Sequence, residues 1–163
     1  MISIDLDLSN KRKITTIDFI GTVNFPAGYF AHLIKGLDYT TFLPFISLKP
    51  QRLVFIYWQP FTENCLNLEY LSDLRSRLVQ KYYTGDNMKV KDYTIGTFKE
   101  KTAHFLGGLW ENQRYKLKGT FELMALKHEN FLVLFDIEAT IGNLQSESMK
   151  ELKQIRDSFT LNE

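Results

Sequence analysis

The sequence contains little of what usually reveals a function. Among 163 residues there is one cysteine, Cys65, which excludes an intramolecular disulfide framework and a cysteine-rich metal site and suits a reducing compartment. The 20 basic and 19 acidic side chains nearly cancel, and the one dense basic run, residues 11–13, lies close to Asp5 and Asp7. Because nucleic-acid binders usually gather a basic excess into a stripe, we expect no nucleic-acid partner.

Long apolar stretches are also missing. No segment approaches the roughly 18 consecutive apolar residues of a membrane-spanning helix, and the start, MISIDLDLSNKRK, has no apolar core of signal-peptide length. We therefore expect no transmembrane segment and a cytoplasmic protein, although a chain whose leader had been removed would look the same. No Pro-, Gly- or Ser-rich linker divides the sequence, so a single domain is expected over residues 1–163.

Aromatic side chains, in contrast, are abundant, with 13 Phe, 8 Tyr and 2 Trp. Such residues fit the pleated, half-buried surface of a sheet and favour a β-rich fold. Two interpretations of their number stay open. They form either a large core or a wide apolar pocket or partner-binding face.

The N-terminal part of the chain predicts a strand, a short helix and a loop. Residues 14–24 are β-branched and aromatic, as in a strand. Pro26 suits the first turn of a helix and Gly36 its end, which indicates a helix over residues 26–35. Residues 38–50 are interrupted by two prolines and are expected to form a loop tucked against the body.

The middle of the chain predicts a buried strand and a long helix. Residues 52–59 are almost all apolar, which indicates a central strand covered on both faces. Asn67 can cap a helix over residues 68–84, which Gly85 would end. One apolar stripe lines this helix: Leu71, Leu74, Leu78 and Tyr82. The basic residues are expected mostly on its other side: Arg75, Arg77 and Lys81.

The second half predicts antiparallel strands. Residues 93–101 and 102–110 form successive strand segments, and residues 114–126 pair with residues 131–140 through a turn at 127–130. The apolar face of the last strand is expected to carry Phe131, Val133, Phe135, Ile137 and Ala139. The other face is expected to become solvated toward its end, at Asp136, Glu138 and Thr140.

A final helix follows the hairpin. Ser148 and Glu151 form a capping box, so Ser148 is expected to begin this helix. Its apolar stripe is Met149, Leu152, Ile155 and Phe159. We therefore predict an α+β fold: a three-layer α/β/α sandwich with a central, mainly antiparallel sheet and a C-terminal covering helix.

Candidate catalytic groups are scattered along the sequence. The histidines, His32, His104 and His128, have no paired metal-binding spacing, and each is expected at a surface or edge. Cys65 is expected to be a small buried filler. The glycine pair at 107–108 lacks the lysine of a phosphate-binding loop and indicates a bend or bulge. We predict no catalytic residue, no metal site and no cofactor.

One carboxylate pair and one aromatic set leave alternatives open. Asp136 and Glu138, with His104 or Arg114, would support a hydrolase-like enzyme, whereas solvated strand ends carry such pairs routinely. The candidate ligand- or partner-binding residues are Tyr57, Trp58, His104, Trp110, Arg114 and Tyr115. Trp, Tyr and Arg are enriched at binding hot spots. The alternative is that both tryptophan rings belong to the core.

A family resemblance is carried by the layout of residues 14–160 and by four segments: FPAGYF, RLVFIYW, LEYLSDLRSRL and MKELKQIRDSF, the last ending in Ser158-Phe159. In these features the chain resembles the PsbP-like family, the photosystem II accessory proteins and their bacterial relatives. Their α/β/α fold is shared with the small Ran-release factor of eukaryotes. The resemblance implies a non-enzymatic protein that acts through its surface. It transfers no site residue, because the calcium- and manganese-linked positions of plant members cannot be placed on this chain.

Three hypotheses about function follow. The first is a non-enzymatic accessory or adaptor protein with a protein-binding surface. The second is a carrier of an apolar small molecule in an aromatic-lined cavity beneath a helix. The third is the hydrolase-like enzyme, which requires the Asp136 and Glu138 carboxylates to lie near His104 or Arg114.

Overall fold

The computed structural model of the protein describes residues 2–7, 12–17, 20–31, 41–48, 51–82, 86–142 and 145–163. The strands before the first helix are β1 (Ile2–Asp7), β2 (Arg12–Ile17), β3 (Gly21–Pro26), β4 (Tyr29–Ala31), β5 (Thr41–Leu48) and β6 (Gln51–Pro60). The remaining elements are α1 (Leu68–Tyr82), β7 (Asp86–Phe98), β8 (Lys101–Asn112), β9 (Leu117–His128), β10 (Phe131–Thr140), α2 (Gln145–Asp157) and β11 (Thr160–Leu161).

The strands form two sheets. The larger has seven strands in the order β4-β5-β6-β10-β9-β8-β7, and the smaller has four in the order β1-β2-β3-β11. Every pairing between described strands is antiparallel. The predicted α+β class with a mainly antiparallel sheet is therefore confirmed. Among the described residues, no helix is long and apolar enough to cross a membrane.

Each face of the large sheet contributes to a separate apolar cluster, because successive side chains of a strand point to opposite faces. The first cluster joins alternate residues of β6 and β10 to α2 and β3, and includes Val54, Phe135, Leu152, Ile155 and Val23. The second joins the intervening residues to α1, and includes Phe55, Leu134, Leu123, Leu71 and Leu74. The strand at 52–59 is thus apolar on both faces because it contributes side chains to both clusters.

The helix α1 begins as the sequence indicates. The side chain of Asn67 accepts a hydrogen bond from the Tyr70 amide at 2.8 Å, and its carbonyl accepts one from Leu71. The first bond satisfies one of the amide groups that a helix N-terminus leaves unpaired, and the second is the first regular backbone bond of the helix. The helix extends to Tyr82, and the predicted stop at Gly85 lies outside the described residues.

The helix predicted over residues 26–35 is wrong for the part that is described. β3 runs through Pro26, and Gly28, with a φ of +95°, forms the turn into β4. Tyr29 is buried and Phe30 is exposed, which is the alternation of a strand rather than the spacing of a helix. The remainder of that prediction, including His32, lies outside the described residues.

Three other boundaries also differ from the predictions. Residues 14–24 contain two strands, because a turn at Ile20 separates β2 from β3. The predicted loop at 38–50 contains β5, which tolerates Pro44 because this residue pairs with β6 only, among the described strands. The strand ribbon at 93–110 turns at residues 99–100, both with positive φ.

The glycine pair at 107–108 does lie at an irregularity, although the extra residue is in the partner strand. The register of β7 against β8 shifts between Val90 and Asp92, so Lys91 has no partner across the ladder. At Gly108 a Cβ would lie 2.1 Å from the Lys89 carbonyl oxygen. Glycine therefore permits the close approach of the two backbones at this bulge.

The capping box predicted at Ser148 is wrong, because α2 begins at Gln145 and Ser148 lies inside it. Ser148 is buried, and its hydroxyl accepts a hydrogen bond from Arg52 Nε at 3.1 Å. The Arg52 guanidinium also pairs with Glu151, which accepts a 2.8 Å hydrogen bond from the Tyr29 hydroxyl. The two residues thus attach α2 to β6 and β4. Leu152, Ile155 and Phe159 are buried as predicted.

Candidate functional site

A buried charge cluster lies between α1 and β10. The Arg75 guanidinium donates to Asp136 Oδ2 at 2.5 Å, to Asp136 Oδ1 at 3.2 Å and to Glu138 Oε1 at 2.5 Å. The three residues are 1%, 2% and 4% exposed. The remaining Arg75 contacts are the Met88 sulfur, 3.3 Å from Nη1, and the Phe121 ring, whose centroid lies 3.6 Å from the guanidinium carbon.

This cluster corrects two predictions. Arg75 was expected on the solvent side of α1, and Asp136 and Glu138 were expected at a solvated strand end; all three are buried. The missed signal lies in the spacing, since Arg75 is four residues after Leu71 and therefore shares its face of the helix. The even-numbered residues of β10 face α1, so the two carboxylates meet the arginine across the second apolar cluster.

Burial and pairing act in opposite directions on the charges of this cluster. Burial raises the pKa of Asp136, while the Arg75 guanidinium lowers it. Burial also disfavours the charged form of Arg75, but the two carboxylates raise its pKa. The arginine therefore stays charged, and its single positive charge offsets one of the two negative charges that ionised Asp136 and Glu138 would carry in the interior. The cluster is a structural ion pair rather than an acid–base pair open to substrate.

The other groups of the enzymatic hypothesis lie elsewhere. His104 is on β8, where its Nδ1 is 2.6 Å from the Tyr93 hydroxyl oxygen. By strand order and register it is two strands away from Asp136 and two residues along, about 12 Å between α-carbons at standard sheet spacings. Arg114 is exposed in the turn between β8 and β9. The structure therefore does not assemble these groups around the carboxylates.

An open cleft of about 270 Å³ lies next to the charge cluster, on the other side of Met88. We call it the Trp110 cleft. Its apolar lining is Met88, Leu109, Trp110 and Ile141. Its charged lining is Lys89, Glu111 and Lys118. The cleft is formed where β7, β8 and β9 meet the residues that follow β10.

The Trp110 side chain is held rigidly in this cleft. Its indole N–H donates to the Thr120 carbonyl at 3.2 Å, and its ring lies against Gly119, where a Cβ would come within 2.6 Å of two ring atoms. Trp110 is 8% exposed, so it belongs to the core and at the same time lines the cleft. Glycine is required at position 119 because a larger side chain would overlap the indole ring.

Two aliphatic side chains at the cleft remain open to solvent. Leu109 is 42% exposed and Ile141 is 45% exposed, values that are high for large apolar residues. The amide of Ile141 donates to the Lys118 carbonyl at 2.9 Å, which fixes this segment beside β9. Lys89 and Lys118 are exposed. The lining thus combines an aromatic residue, exposed apolar side chains and charged groups, which are residue types found at binding hot spots and their rims.

The six residues predicted as a binding set do not converge on one place. Tyr57 and Trp58 are adjacent on β6 and contribute to opposite clusters, with 3% and 8% exposure. His104 is buried beside Tyr93. Of the set, only Trp110 lines the cleft.

Arg114 and Tyr115 lie in the turn that follows β8. The Arg114 guanidinium is 5.5 Å from the centroid of the Tyr115 ring, and Tyr115 is 59% exposed. The turn adjoins the strands that form the cleft, since the Tyr115 amide donates to the Asn112 side chain at the end of β8. A binding role for any of the six residues stays a prediction.

Burial also overturns the expectation of a surface or edge position for His104, which is 7% exposed, and for His128. The residue ends β9 at the turn into β10, where a surface side chain was predicted, yet it is 3% exposed. Neither ring nitrogen has a hydrogen-bond partner among the residues that the structure describes. Burial lowers the pKa of His128, and Lys101 lowers it further, while Glu129 acts in the opposite direction. The imidazole is therefore buried in its neutral form.

We expect this histidine to make the folded protein less stable as the pH falls below the ordinary histidine pKa of 6.5. In that range the unfolded chain binds a proton that the folded chain does not, which costs up to about 1.4 kcal/mol per pH unit. The stability linked to the neutral imidazole is fully present above pH 6.5 and is lost as the pH falls toward the lower pKa of His128 in the folded protein.

The measurement is denaturant unfolding of the wild type and His128→Leu between about pH 5 and pH 7.5. The variant should have the flatter profile. The pKa of His104 is also lowered by burial, but His104 is present in both proteins, so the difference isolates His128. Identical profiles would contradict a buried neutral imidazole at this position.

The lone cysteine and any group of metal-binding side chains would be further candidate sites in the described part of the chain. Cys65 is fully buried, as predicted. Among the described residues, no group of three or more His, Cys, Asp or Glu side chains is placed to hold a metal ion.

Comparisons with known proteins bear on the fold. No family model matches the chain, and no curated protein matches it significantly in sequence. The solution structure of cyanobacterial PsbP (CyanoP) from Synechocystis sp. PCC 6803 is similar, with a TM-score of 0.59 and 10% identity, over 99% of this chain and 92% of that one.

Two further solved structures share the architecture. A point mutant of the protein Mog1 has a TM-score of 0.53 and 10% identity, over 99% of this chain and 96% of that one. PA94, a protein of unknown function from Pseudomonas aeruginosa, has a TM-score of 0.51 and 9% identity, over 93% of this chain and 98% of that one. The chain therefore has a PsbP/Mog1-like fold, which confirms at the level of the fold the resemblance found in the sequence.

Proposed function

We propose that the protein is a non-catalytic accessory protein that binds a segment of a protein partner in the Trp110 cleft. The observation that carries the proposal is the cleft itself, whose lining includes Trp110, two exposed aliphatic residues and two lysines. The Arg75 guanidinium is buried and hydrogen-bonded to both Asp136 and Glu138, which supports a structural role for this cluster rather than catalysis. The PsbP/Mog1-like fold favours the same function.

The charges around the cleft favour a particular kind of segment. Lys89 and Lys118 lie on the rim with one carboxylate, Glu111, which leaves an excess of one positive charge. Neither lysine forms an ion pair with another described residue. A partner segment with one apolar anchor side chain and flanking Asp or Glu residues would complement both the apolar lining and the two lysines of the cleft.

The size of the cleft favours such a segment over a carried small molecule. Ligand pockets usually enclose about 300–1,000 Å³, and this cleft is open and close to the lower limit. A second space, beneath α1, amounts to about 10 Å³, enough for one water molecule. Of these two spaces, only the cleft has room for a carried small molecule.

The fold supports a rigid presentation of this cleft. We propose, as the finer description of the fold, the three-layer α/β/α sandwich with α2 as the covering helix. The apolar cluster on each face of the large sheet supports this arrangement. A sheet packed on both faces would hold the strand ends of the cleft in fixed positions and reduce the entropy lost on binding.

Selection of peptides from a random displayed library tests the proposal. We expect enriched peptides to carry an apolar residue flanked by Asp or Glu, and Lys118→Glu to weaken their binding about tenfold or more. Lys150→Glu is the matched control, because Lys150 is an equally exposed lysine on α2. It should leave the affinity within about twofold of wild type.

Two results would count against the proposal. If no peptide is enriched, or if enriched peptides bind Lys118→Glu as tightly as wild type, the cleft is not an acidic-peptide site. Native mass spectrometry of freshly purified protein distinguishes the carrier hypothesis, since a retained apolar small molecule that is lost on Ile141→Lys would favour the carrier.

A further inference from the structure

The strand β7 forms an open edge of the large sheet. It is 13 residues long and pairs with β8 on one side along nearly its whole length. On its other side no strand pairs with it in the described part of the chain. No turn or loop hydrogen bond between described backbone groups reaches β7 either. Half of its backbone donors and acceptors therefore face outward, which is the arrangement that accepts an added strand.

The two halves of this edge differ in how they are protected. The first half carries Lys89, Lys91 and Asp92 and the bulge at Lys91, which are features that discourage strand addition. The second half, residues 93–98, is YTIGTF, without charge or proline. Uncharged six-residue segments rich in β-forming residues are those that pair readily with other strands. The second half of β7 is thus the unprotected part of the edge.

Ile95 makes this segment unusual. It is 61% exposed, the highest value among the large apolar residues described. It lies in the middle of the segment, with exposed Thr94 and Thr97 on either side of it. An edge strand that only had to remain soluble would be expected to carry a charge there, so the isoleucine indicates contact with another surface.

We propose that residues 93–98 pair antiparallel with the same segment of a second copy of this chain, so that the two large sheets become continuous. Two copies of this segment suit each other because each is uncharged and each has unpaired backbone groups along its outer edge. The flanks also match. One end carries Lys91 and Asp92, the other carries Lys99 and Glu100, and antiparallel pairing sets each end beside the other. Each flank has one charge of each sign, so self-pairing brings no net repulsion.

This interface is separate from the Trp110 cleft. The cleft uses residues 87–89 at the start of β7, before the bulge, whereas the proposed pairing uses residues after it. A symmetric pair formed through this segment is closed, because each copy uses its own residues 93–98 once and leaves none of them for a third copy. Two clefts would then be displayed on one assembly, which would increase avidity for a partner that repeats its binding segment.

Light scattering during size-exclusion chromatography, over a dilution series, tests this proposal. Wild type should be a dimer that dissociates on dilution. Ile95→Lys would place two like charges close together at the pairing edge and should raise the dimer dissociation constant about a hundredfold. Ile14→Lys is the matched control, because Ile14 is also an exposed isoleucine on a strand, in the smaller sheet, and it should leave the dimer intact.

Thermal melts and hydrogen exchange complete the test. Both variants should keep the wild-type melting temperature when compared as monomers, which excludes misfolding as the cause. Amides of residues 93–98 should exchange more slowly in the dimer than in Ile95→Lys. A wild type that is monomeric up to roughly millimolar concentration, a dimer unaffected by Ile95→Lys, or protection that appears only with a different protein would overturn the proposal.

Discussion

Replacing Arg75 with methionine should lower the free energy of unfolding by about 3–5 kcal/mol at neutral pH. The guanidinium is fully buried and satisfies both Asp136 and Glu138, so its removal leaves two carboxylates in an apolar interior without a compensating charge. Methionine keeps most of the apolar volume, so the loss measures the charge rather than a cavity. Chemical denaturation of the purified variant is the measurement.

The loss should depend on pH in a defined direction. Burial raises the pKa of Asp136, and the loss of Arg75 removes the positive charge that lowers it. The folded variant therefore binds a proton more readily than the unfolded chain. Stability linked to such a group is present below the unfolded pKa and is lost as the pH rises through the folded pKa. The destabilisation by Arg75→Met should therefore be smaller at about pH 4 than at about pH 8.

A matched control and a compensated variant sharpen this prediction. Arg77→Met removes an exposed arginine of the same helix, paired with Asp73 four residues earlier, and should cost less than about 1 kcal/mol. Combining Arg75→Met with Asp136→Leu and Glu138→Leu should recover most of the stability, because a buried ion cluster can be replaced by apolar groups. Equal losses for Arg75→Met and Arg77→Met would contradict the buried cluster.

Phe159→Ala should also cost about 3–5 kcal/mol, because it removes a fully buried ring. The Phe159 ring packs on Phe135 at 5.2 Å and on Phe98 at 6.4 Å between centroids. It therefore joins the end of the chain to β10 and to the β7–β8 hairpin. The backbone of Phe159 is held too, since Lys99 Nζ donates to its carbonyl at 2.6 Å.

Tyr115→Ala is the control for this variant. Tyr115 is a large aromatic residue that is 59% exposed, so its loss should change stability by less than about 0.5 kcal/mol. His128→Ala, which as a surface substitution would have served the same purpose, does not, because His128 is buried. If denaturant unfolding ranks Tyr115→Ala as the more damaging change, the packing of the C-terminal segment is described incorrectly.

The parts of the fold that the sequence predicted well are those where local pattern and tertiary packing agree. The long helix has a polar cap at Asn67 and an apolar stripe, and the final hairpin has two strand-forming segments joined by a short turn. Residues 26–31 were predicted wrongly because proline, glycine and apolar spacing there fit a helix and a strand corner equally well. Packing of Phe25 and Tyr29, whose ring centroids are 5.5 Å apart, decides for the strand.

The site was harder to predict because its members are polar groups whose environment depends on distant partners. Asp136, Glu138 and Arg75 each look solvent-exposed in their own segment, and only the crossing of α1 over β10 buries them together. Trp110 could be placed at a strand end from the polar turn after it. The positions of Met88 and Ile141 beside it could not be predicted, because both residues are distant in sequence and depend on which strands are neighbours in the sheet.

The most direct test of the proposed function is a two-dimensional NMR titration of the protein with the tightest peptide obtained by selection. The chain contains an internal control, because Trp58 lies in the cluster on the opposite face of the sheet. The account predicts that the Trp110 indole signal and the Leu109 and Ile141 methyl signals shift, while the Trp58 indole signal does not. Shifts centred on Trp58 and α2, with Trp110 unchanged, would contradict it.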